Sequence, residues 1–241
     1  MCGRYASTKS AEDLVAEFDA IEIAVDEPLL PDYNVTPTAR VPVVRQSRSR
    51  GGRVVDAFRW GLVPSWSKDL SIGAKMLNAR AESVISKPAF RSAFARRRCL
   101  VPADGWYEWS PRPEGGGKQA WYLNRADGGL CVFAGLWEVW GTGDERVATC
   151  SIVTTAAIAP LTSVHSRMPL MLSRDRWGAW LGEESADPAA LLAPPADDLL
   201  GGMELRPVGP AVGNVRNNAP ELRDRVDTSA PTEPVPLDTL F

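Results

Sequence analysis

The sequence predicts one mixed domain dominated by short, antiparallel strands. Three observations carry that reading. Strand-like apolar runs recur along the chain and are separated by Gly-containing turns. The helical patterns are few and short. The 241 residues would suit one large domain or two small ones, and no internal repeat or linker divides them.

The elements follow in order. Ser10-Ala-Glu-Asp13, followed by Leu14, Val15 and Phe18, reads as a capped first helix, and Pro28 and Pro31 end that region. Arg40–Arg45 and Val54–Trp60 read as an antiparallel strand pair around a Gly51-Gly52 tip. Pro88–Arg98 suggests a short helix, Cys99-Leu-Val101 enters a strand, and Asp104-Gly105 is a turn. Gln119–Leu123, Leu130–Leu136 and Ala148–Thr154 are strand-like, with turns at Asp127-Gly-Gly129 and Gly141–Gly143. Leu161–Val164 and Arg174–Leu181 are helical candidates. The domain is expected over residues 1–225. The Pro-rich tail 226–241 (Pro231, Pro234, Pro236) is expected to be poorly ordered until its last residues.

Composition excludes several classes. With 44% hydrophobic and 24% charged residues, the bulk of the chain is not disordered. No apolar run approaches the roughly 18 residues of a spanning helix, so no membrane partner is expected. The start lacks a basic region followed by an apolar stretch, so no signal peptide is expected. Four scattered Cys give neither a disulfide framework nor a metal pattern, and a single His makes a zinc site hard to assemble. The expectation is a cytoplasmic protein with no metal and no cofactor.

The formal net charge of -3 hides an asymmetry. Residues 40–98 hold 14 Lys and Arg against Asp56, Asp69 and Glu82. A basic block in an acidic chain steers polyanions, and a nucleic acid is one such partner. Arg48, Arg50 and Arg53 read as a flexible, solvated hairpin tip. Arg96-Arg97-Arg98 equally suits a helix C-terminus, where cations complement the dipole.

Cys2 is the most informative position. Small neighbours favour removal of Met1, which would leave a 1,2-aminothiol: an amine of pKa about 7.7–8.0 beside a thiol of about 8.5. The amine can condense with an aldehyde and the thiol can then close on the imine, giving a thiazolidine. Alternatively the amine serves as base to its own thiol. The lone His165 lies in a polar loop and titrates near neutrality. Glu108, flanked by Trp106, Tyr107 and Trp109, either points to water or is buried with a raised pKa as an acid/base. Asn78 can fix an amine or oxygen and Arg80 a phosphate. Trp60 reads as core, whereas Trp66, in a polar loop, can stack on a base.

Jointly and in order, several motifs resemble the SOS response-associated peptidase family. They are Met1-Cys-Gly-Arg-Tyr5, Tyr33-Asn-Val-Thr-Pro37, Trp60-Gly-Leu-Val-Pro64, Asn78-Ala-Arg-Ala-Glu82 and Cys99-Leu-Val-Pro-Ala-Asp-Gly-Trp-Tyr-Glu-Trp109. Phe133-Ala-Gly-Leu-Trp137, Thr154-Thr-Ala-Ala157 and His165-Ser-Arg-Met-Pro169 complete the set. The resemblance implies an α+β fold, with a β-barrel-like core of mixed sheets wrapped by short helices. It also implies a protein that senses abasic sites in single-stranded DNA and cross-links to them through Cys2; a monomer is expected. Carried over, Asn78 orients the Cys2 amine or the lesion, Glu108 serves as acid/base, and His165 shuttles the proton that opens the sugar ring. Arg4, Arg80 and Arg167 would hold phosphates, with Pro37, Trp66 and Thr154 on the DNA-binding side. After the Pro64 turn this chain has only Trp66 and then Ser67, where the family commonly has more aromatic character.

Rival readings use the same Cys2. Glutamine amidotransferases also begin Met-Cys-Gly, but continue with an aliphatic residue and carry Arg-Gly and Asn-Gly-Glu signatures not found here. A thiol peptidase would pair Cys2 with His165, and an N-terminal-nucleophile amidohydrolase would use Cys2. With only Met1 ahead of Cys2, self-processing at most is expected. A non-covalent single-strand binder would not need Cys2.

Overall fold

The computed structural model describes residues 3–25, 27–112, 115–195 and 202–228. Cys2 and the tail from residue 229 lie outside the described residues. In chain order the first elements are β1 (Tyr5–Ser7), α1 (Ala11–Glu17), β2 (Glu22–Ile23), β3 (Asp32–Val35), β4 (Arg40–Ser47) and β5 (Gly52–Trp60). Then come β6 (Asn78–Arg80), α2 (Arg91–Arg96), β7 (Arg98–Ala103), β8 (Gly105–Pro111) and β9 (Lys118–Arg125). The last are β10 (Cys131–Trp140), β11 (Val147–Ala156), β12 (Arg167–Pro169), α3 (Trp177–Leu181) and β13 (Met203–Val208).

Five strands close into a barrel in the order β11-β10-β7-β4-β5, with β5 returning to β11. Four junctions are antiparallel. The fifth is parallel, with Thr149 opposite Arg59 and Cys150 opposite Trp60. Five strands cannot alternate direction all the way round a ring, so at least one junction must be parallel. The period-2 alternation of strands sorts their side chains. One face gives a cluster containing Val43, Phe58, Trp60, Cys99, Val101, Phe133, Cys150 and Ile152, which fills the barrel. Gly135 belongs there because a Cβ would meet the Cys99 Sγ at 2.8 Å and Val101 Cγ2 at 2.9 Å. The opposite face (Val44, Val55, Leu100, Val132, Leu136, Val153) packs under Leu14, Phe18, Phe94, Trp177 and Trp180 of the helical layer.

A second sheet, β13-β9-β8-β1-β3, lies against one end of the barrel. Tyr5 of β1 meets Trp60 edge-on at 5.1 Å, and Trp106 of β8 meets Phe133 at 5.7 Å. The first helix is capped as the sequence predicts: Asp13 N–H donates to Ser10 Oγ, and Ser10 N–H to the Asp13 carboxylate. Leu161–Ser163 and Arg174–Arg176 form 3-10 turns, the second running into α3. The thiols of Cys99, Cys131 and Cys150 are buried, and burial pushes the Cys131 thiol up to about 12. They are inert at neutral pH. Among the described residues no helix is long and apolar enough to cross a membrane.

The hairpin tip departs from expectation. Arg53 lies in β5 rather than in a flexible tip, and its guanidinium grips Glu183 with two 2.8 Å bonds. Arg50 pairs with Glu22, leaving Arg48 as the solvated member. Of Arg96-Arg97-Arg98, only Arg96 is helical. Arg98 opens β7 and donates back to the Phe94 and Ala95 carbonyls, capping α2 as the charge pattern suggests.

Candidate active site

Glu108 sits in β8, where alternation sends Trp106 and Glu108 to one face and Tyr107 to the other. The order β9-β8-β1 sandwiches β8, and Glu108 is only 4% exposed. The choice left open by the sequence is therefore decided: the carboxyl points inward. Burial is the leading cause of its shift, and its pKa is pushed up to about 7. Such a group can both take and give a proton at neutral pH. Tyr5 pairs with Trp106, and the Tyr107 N–H donates to the Arg4 carbonyl at 2.9 Å. That antiparallel register sets Gly3 opposite Glu108. Arg4 Nη1 donates to Asn34 Oδ1 and the Val212 carbonyl, both at 2.8 Å.

Asn78, Arg80, Thr154, His165 and Arg167 gather at the far end of β11. There β6 pairs parallel to β11, with Asn78 opposite Ile152 and Arg80 opposite Thr154. On the other edge Thr154 faces Pro169 and Ala156 faces Arg167 of β12. Ala79 and Ala81 are buried while Arg80 is exposed, so the alternating small residues seat β6 and release Arg80 to solvent. The Arg167 guanidinium donates to both Glu82 carboxylate oxygens (2.5 and 3.1 Å), to the Thr154 carbonyl (2.6 Å) and to Thr154 Oγ1 (3.2 Å). A phosphate taking that fork would have to displace Glu82. Thr154 is buried and acts on Arg167.

His165 is held by the backbone two residues on. The Arg167 N–H donates to His165 Nδ1 at 2.9 Å, which leaves the ring proton of the neutral form on Nε2. The same Nδ1 lies 3.2 Å from the Arg167 carbonyl. Burial lowers the imidazole pKa below its ordinary value, and the nearby Arg167 charge lowers it further.

Two loops flank these groups, and both rest on Trp60. Its backbone bonds Thr38 and Ala39, while its indole N–H donates to the Leu77 carbonyl at 3.0 Å. Pro37 lies in the first loop and is half-buried. The second carries Trp66, which is 64% exposed. Its base is closed by Gly61 and Gly73, where a Cβ on either would come within 2.5 Å of the other's carbonyl oxygen. Val63 N–H donates to Thr149 Oγ1 at 3.0 Å, and the Trp140 indole donates to the Ser67 carbonyl at 2.8 Å. Trp66 is thus presented from a pinned loop.

Some contributors escaped the sequence reading. Asn34 binds Arg4 and the carbonyls of Asn214 (3.1 Å) and Asn217 (2.8 Å), tying the C-terminal segment to β3. Glu82 holds Arg167 and Thr149 holds the Val63 backbone at the base of the Trp66 loop, both partners being remote in sequence. For Asn34 and Glu82 the only signal was membership of a motif. Among the described residues no group of three His, Cys, Asp or Glu could hold a metal ion.

A family model described as SOS response associated peptidase (SRAP) matches residues 1–215. The chain is 36% identical over 231 residues to the abasic site processing protein YoaM of Bacillus subtilis (strain 168), covering 93% of this chain and 98% of that protein. It is 32% identical to the abasic site processing protein YedK of Escherichia coli (strain K12), covering 92% and 98%. A crystal structure of a protein from Bacteroides thetaiotaomicron is similar with a TM-score of 0.80 at 27% identity, covering 93% of this chain and all of that one.

Proposed function

The chain belongs to the SOS response associated peptidase family, and from that premise we propose that it processes abasic sites in single-stranded DNA by covalent capture through Cys2. The observation that carries the reading is Glu108, a buried carboxyl with its pKa raised to about 7, on the strand that pairs with β1 near the start of the chain.

Once Met1 is removed, the Cys2 ammonium must lose a proton before it attacks, and the Glu108 carboxylate accepts it. The free amine adds to the open-chain aldehyde of the abasic deoxyribose. The resulting carbinolamine loses its hydroxyl as water, protonated by neutral Glu108, and the iminium then returns its N–H proton to the Glu108 carboxylate to leave an imine. The Cys2 sulfur then adds to the imine carbon while the thiol proton passes to nitrogen, closing a five-membered thiazolidine. The net loss is one water. His165, neutral at physiological pH and carrying its proton on Nε2, serves the opening of the closed sugar and the reversal of the adduct. Asn78 orients the amine or the lesion. Arg80 is the exposed cation beside them for a phosphate, with Trp66 and Pro37 lining the strand. Arg4 and Arg167, already engaged by Asn34 and Glu82, hold the strands that carry the site and are secondary phosphate positions.

The test is intact-mass analysis after mixing with an abasic single-stranded oligonucleotide. The expected product has the summed mass less one water. Cys2→Ser should lose the stable adduct, whereas serine at Cys99, Cys131 or Cys150 should keep it. Normal cross-linking by protein that retains Met1 would overturn the proposal, because an amide nitrogen forms no imine. Turnover of peptides without adduct formation would favour the thiol-peptidase reading instead.

A further inference from the structure

The fold sorts the basic block of residues 40–98 into two populations. Five of its cations are paired with acids: Arg45 with Asp56 of the block itself, and Arg40 with Glu27, Arg50 with Glu22, Arg53 with Glu183 and Arg97 with Glu138 from outside it. Arg98 is bonded to carbonyls and Arg59 to the Thr38 carbonyl. Among the described residues, seven cations of the block then stand in no ion pair. Arg48 is alone at the hairpin tip. The other six, Lys68, Lys75, Arg80, Lys87, Arg91 and Arg96, follow one another along the single stretch that carries Trp66, β6 and α2. The two acids of that stretch are fewer than its cations. Glu82 is neutralised by Arg167, and Asp69 is turned onto Ser71 as a cap.

Beyond Arg80 the chain runs through consecutive turns (Ser83 N–H to the Arg80 carbonyl, Lys87 N–H to the Ser83 carbonyl) into α2, which packs on β10 and β7. Lys87, Arg91 and Arg96 are all exposed, and Arg96 is steadied by a 2.9 Å bond to Ser92 Oγ. Ala93 and Phe94 on the opposite side anchor the helix in the core. Half-exposed Ile85 lies between Arg80 and Lys87 in the chain.

We infer that Lys87, Arg91 and Arg96 form a second phosphate track, which carries the DNA strand past the lesion-side contacts and along α2. The inference rests on the reading of the Arg80 face as the DNA surface. Each cation there displaces condensed counterions from the strand and so adds to the salt dependence of binding. A strand too short to reach α2 gains nothing from it.

The experiment compares Lys87→Gln/Arg91→Gln/Arg96→Gln with wild type on unmodified oligo-dT of about six and about twenty nucleotides, lengths that bracket common single-strand site sizes. The slope of log affinity against log salt on the long strand should fall by about 2, at about 0.7 per contact, with the short strand unchanged. A control, Lys9→Gln/Arg48→Gln/Arg146→Gln, makes the same change in net charge at remote exposed positions. An unchanged slope on the long strand overturns the track. So does equal weakening on both lengths, or an equal loss in the control. Arg80→Ala run in parallel separates the two levels: if it weakens both lengths while the triple variant changes neither, the site reading stands and the track falls. If Arg80→Ala changes neither length, the reading of that face fails and the track with it. Circular dichroism and urea midpoints confirm that each variant is folded.

Discussion

Glu108 and His165 are two titratable groups of the proposed site, and the molecule treats them in opposite ways. Glu108 is enclosed in the middle of a sheet by side chains from neighbouring strands, and its pKa rises to about 7. His165 stands half-buried before a three-residue strand, gripped by local backbone, and its pKa falls. One physical cause, loss of water, penalises the charged form in both. Because one group is charged when deprotonated and the other when protonated, they approach neutrality from opposite sides. Near pH 7 burial therefore favours the uncharged form of each group.

The sharpest way to break this comparison is kinetic. A positioned acid/base contributes about 10²–10⁴-fold, so Glu108→Ala and His165→Ala should each slow single-turnover cross-linking to an abasic site within that range. They should differ in kind. A simple open aldehyde needs no ring opening and should rescue His165→Ala but not Glu108→Ala. Equal rescue would merge the two roles into one.

The next effect is on stability. Glu108 has a folded-state pKa above its unfolded value of 4.5, so the folded protein holds a proton that the unfolded chain releases. Its contribution is fully present below pH 4.5 and is lost as pH rises through about 7, a change of up to about 3 kcal/mol. Glu108→Gln should therefore match wild type near pH 4.5 and exceed it at pH 8, read from urea midpoints. The sign reverses for His165, whose folded-state pKa lies below 6.5: its contribution is lost below that folded value and regained as pH rises to 6.5. A Glu108→Gln variant with an unchanged pH profile would mean that the carboxyl is not sealed.

A smaller perturbation touches one side alone. Glu82→Gln removes the anion that balances Arg167, at a cost of about 0.5–1 kcal/mol for this partly exposed pair. It should also lower the His165 pKa further and leave Glu108 where it is. With one His in the chain, an NMR titration of the imidazole reports this directly. A His165 titration that stays put would show that the Arg167 charge does not reach the ring. The smallest expected change is Arg80→Ala, which should flatten the salt dependence of single-strand binding by about 0.7, measured by fluorescence titration over a salt series.

The parts of the fold that were legible in the sequence are those written within a few residues. The Ser10 capping box, the β4–β5 hairpin, the Gly turns and the apolar settings of Cys99, Cys131 and Cys150 all depend on near neighbours. The candidate site was legible as an inventory: the chemistry of Cys2, Glu108, His165, Asn78 and Arg80 follows from residue type, and their joint occurrence from the motifs. The sequence left Glu108 with two orientations because alternation says only that it shares a face with Trp106. Which face is dry depends on β1 and β9, and on the barrel end that meets Trp106.

By itself, then, the sequence determined which functional groups exist and where short elements begin and end, since propensity, capping and turn chemistry act over a turn or a strand. Only the tertiary structure decided that β5 closes on β11 across about ninety residues, a parity requirement of a five-strand ring that no local pattern encodes. It alone decided that Arg53 belongs to Glu183 and Arg167 to Glu82, and so which cations stay available to a polyanion. And it alone set the proton affinities of Glu108 and His165, because a pKa shift measures how far remote surfaces exclude water from a charge, and that is fixed only when those surfaces meet.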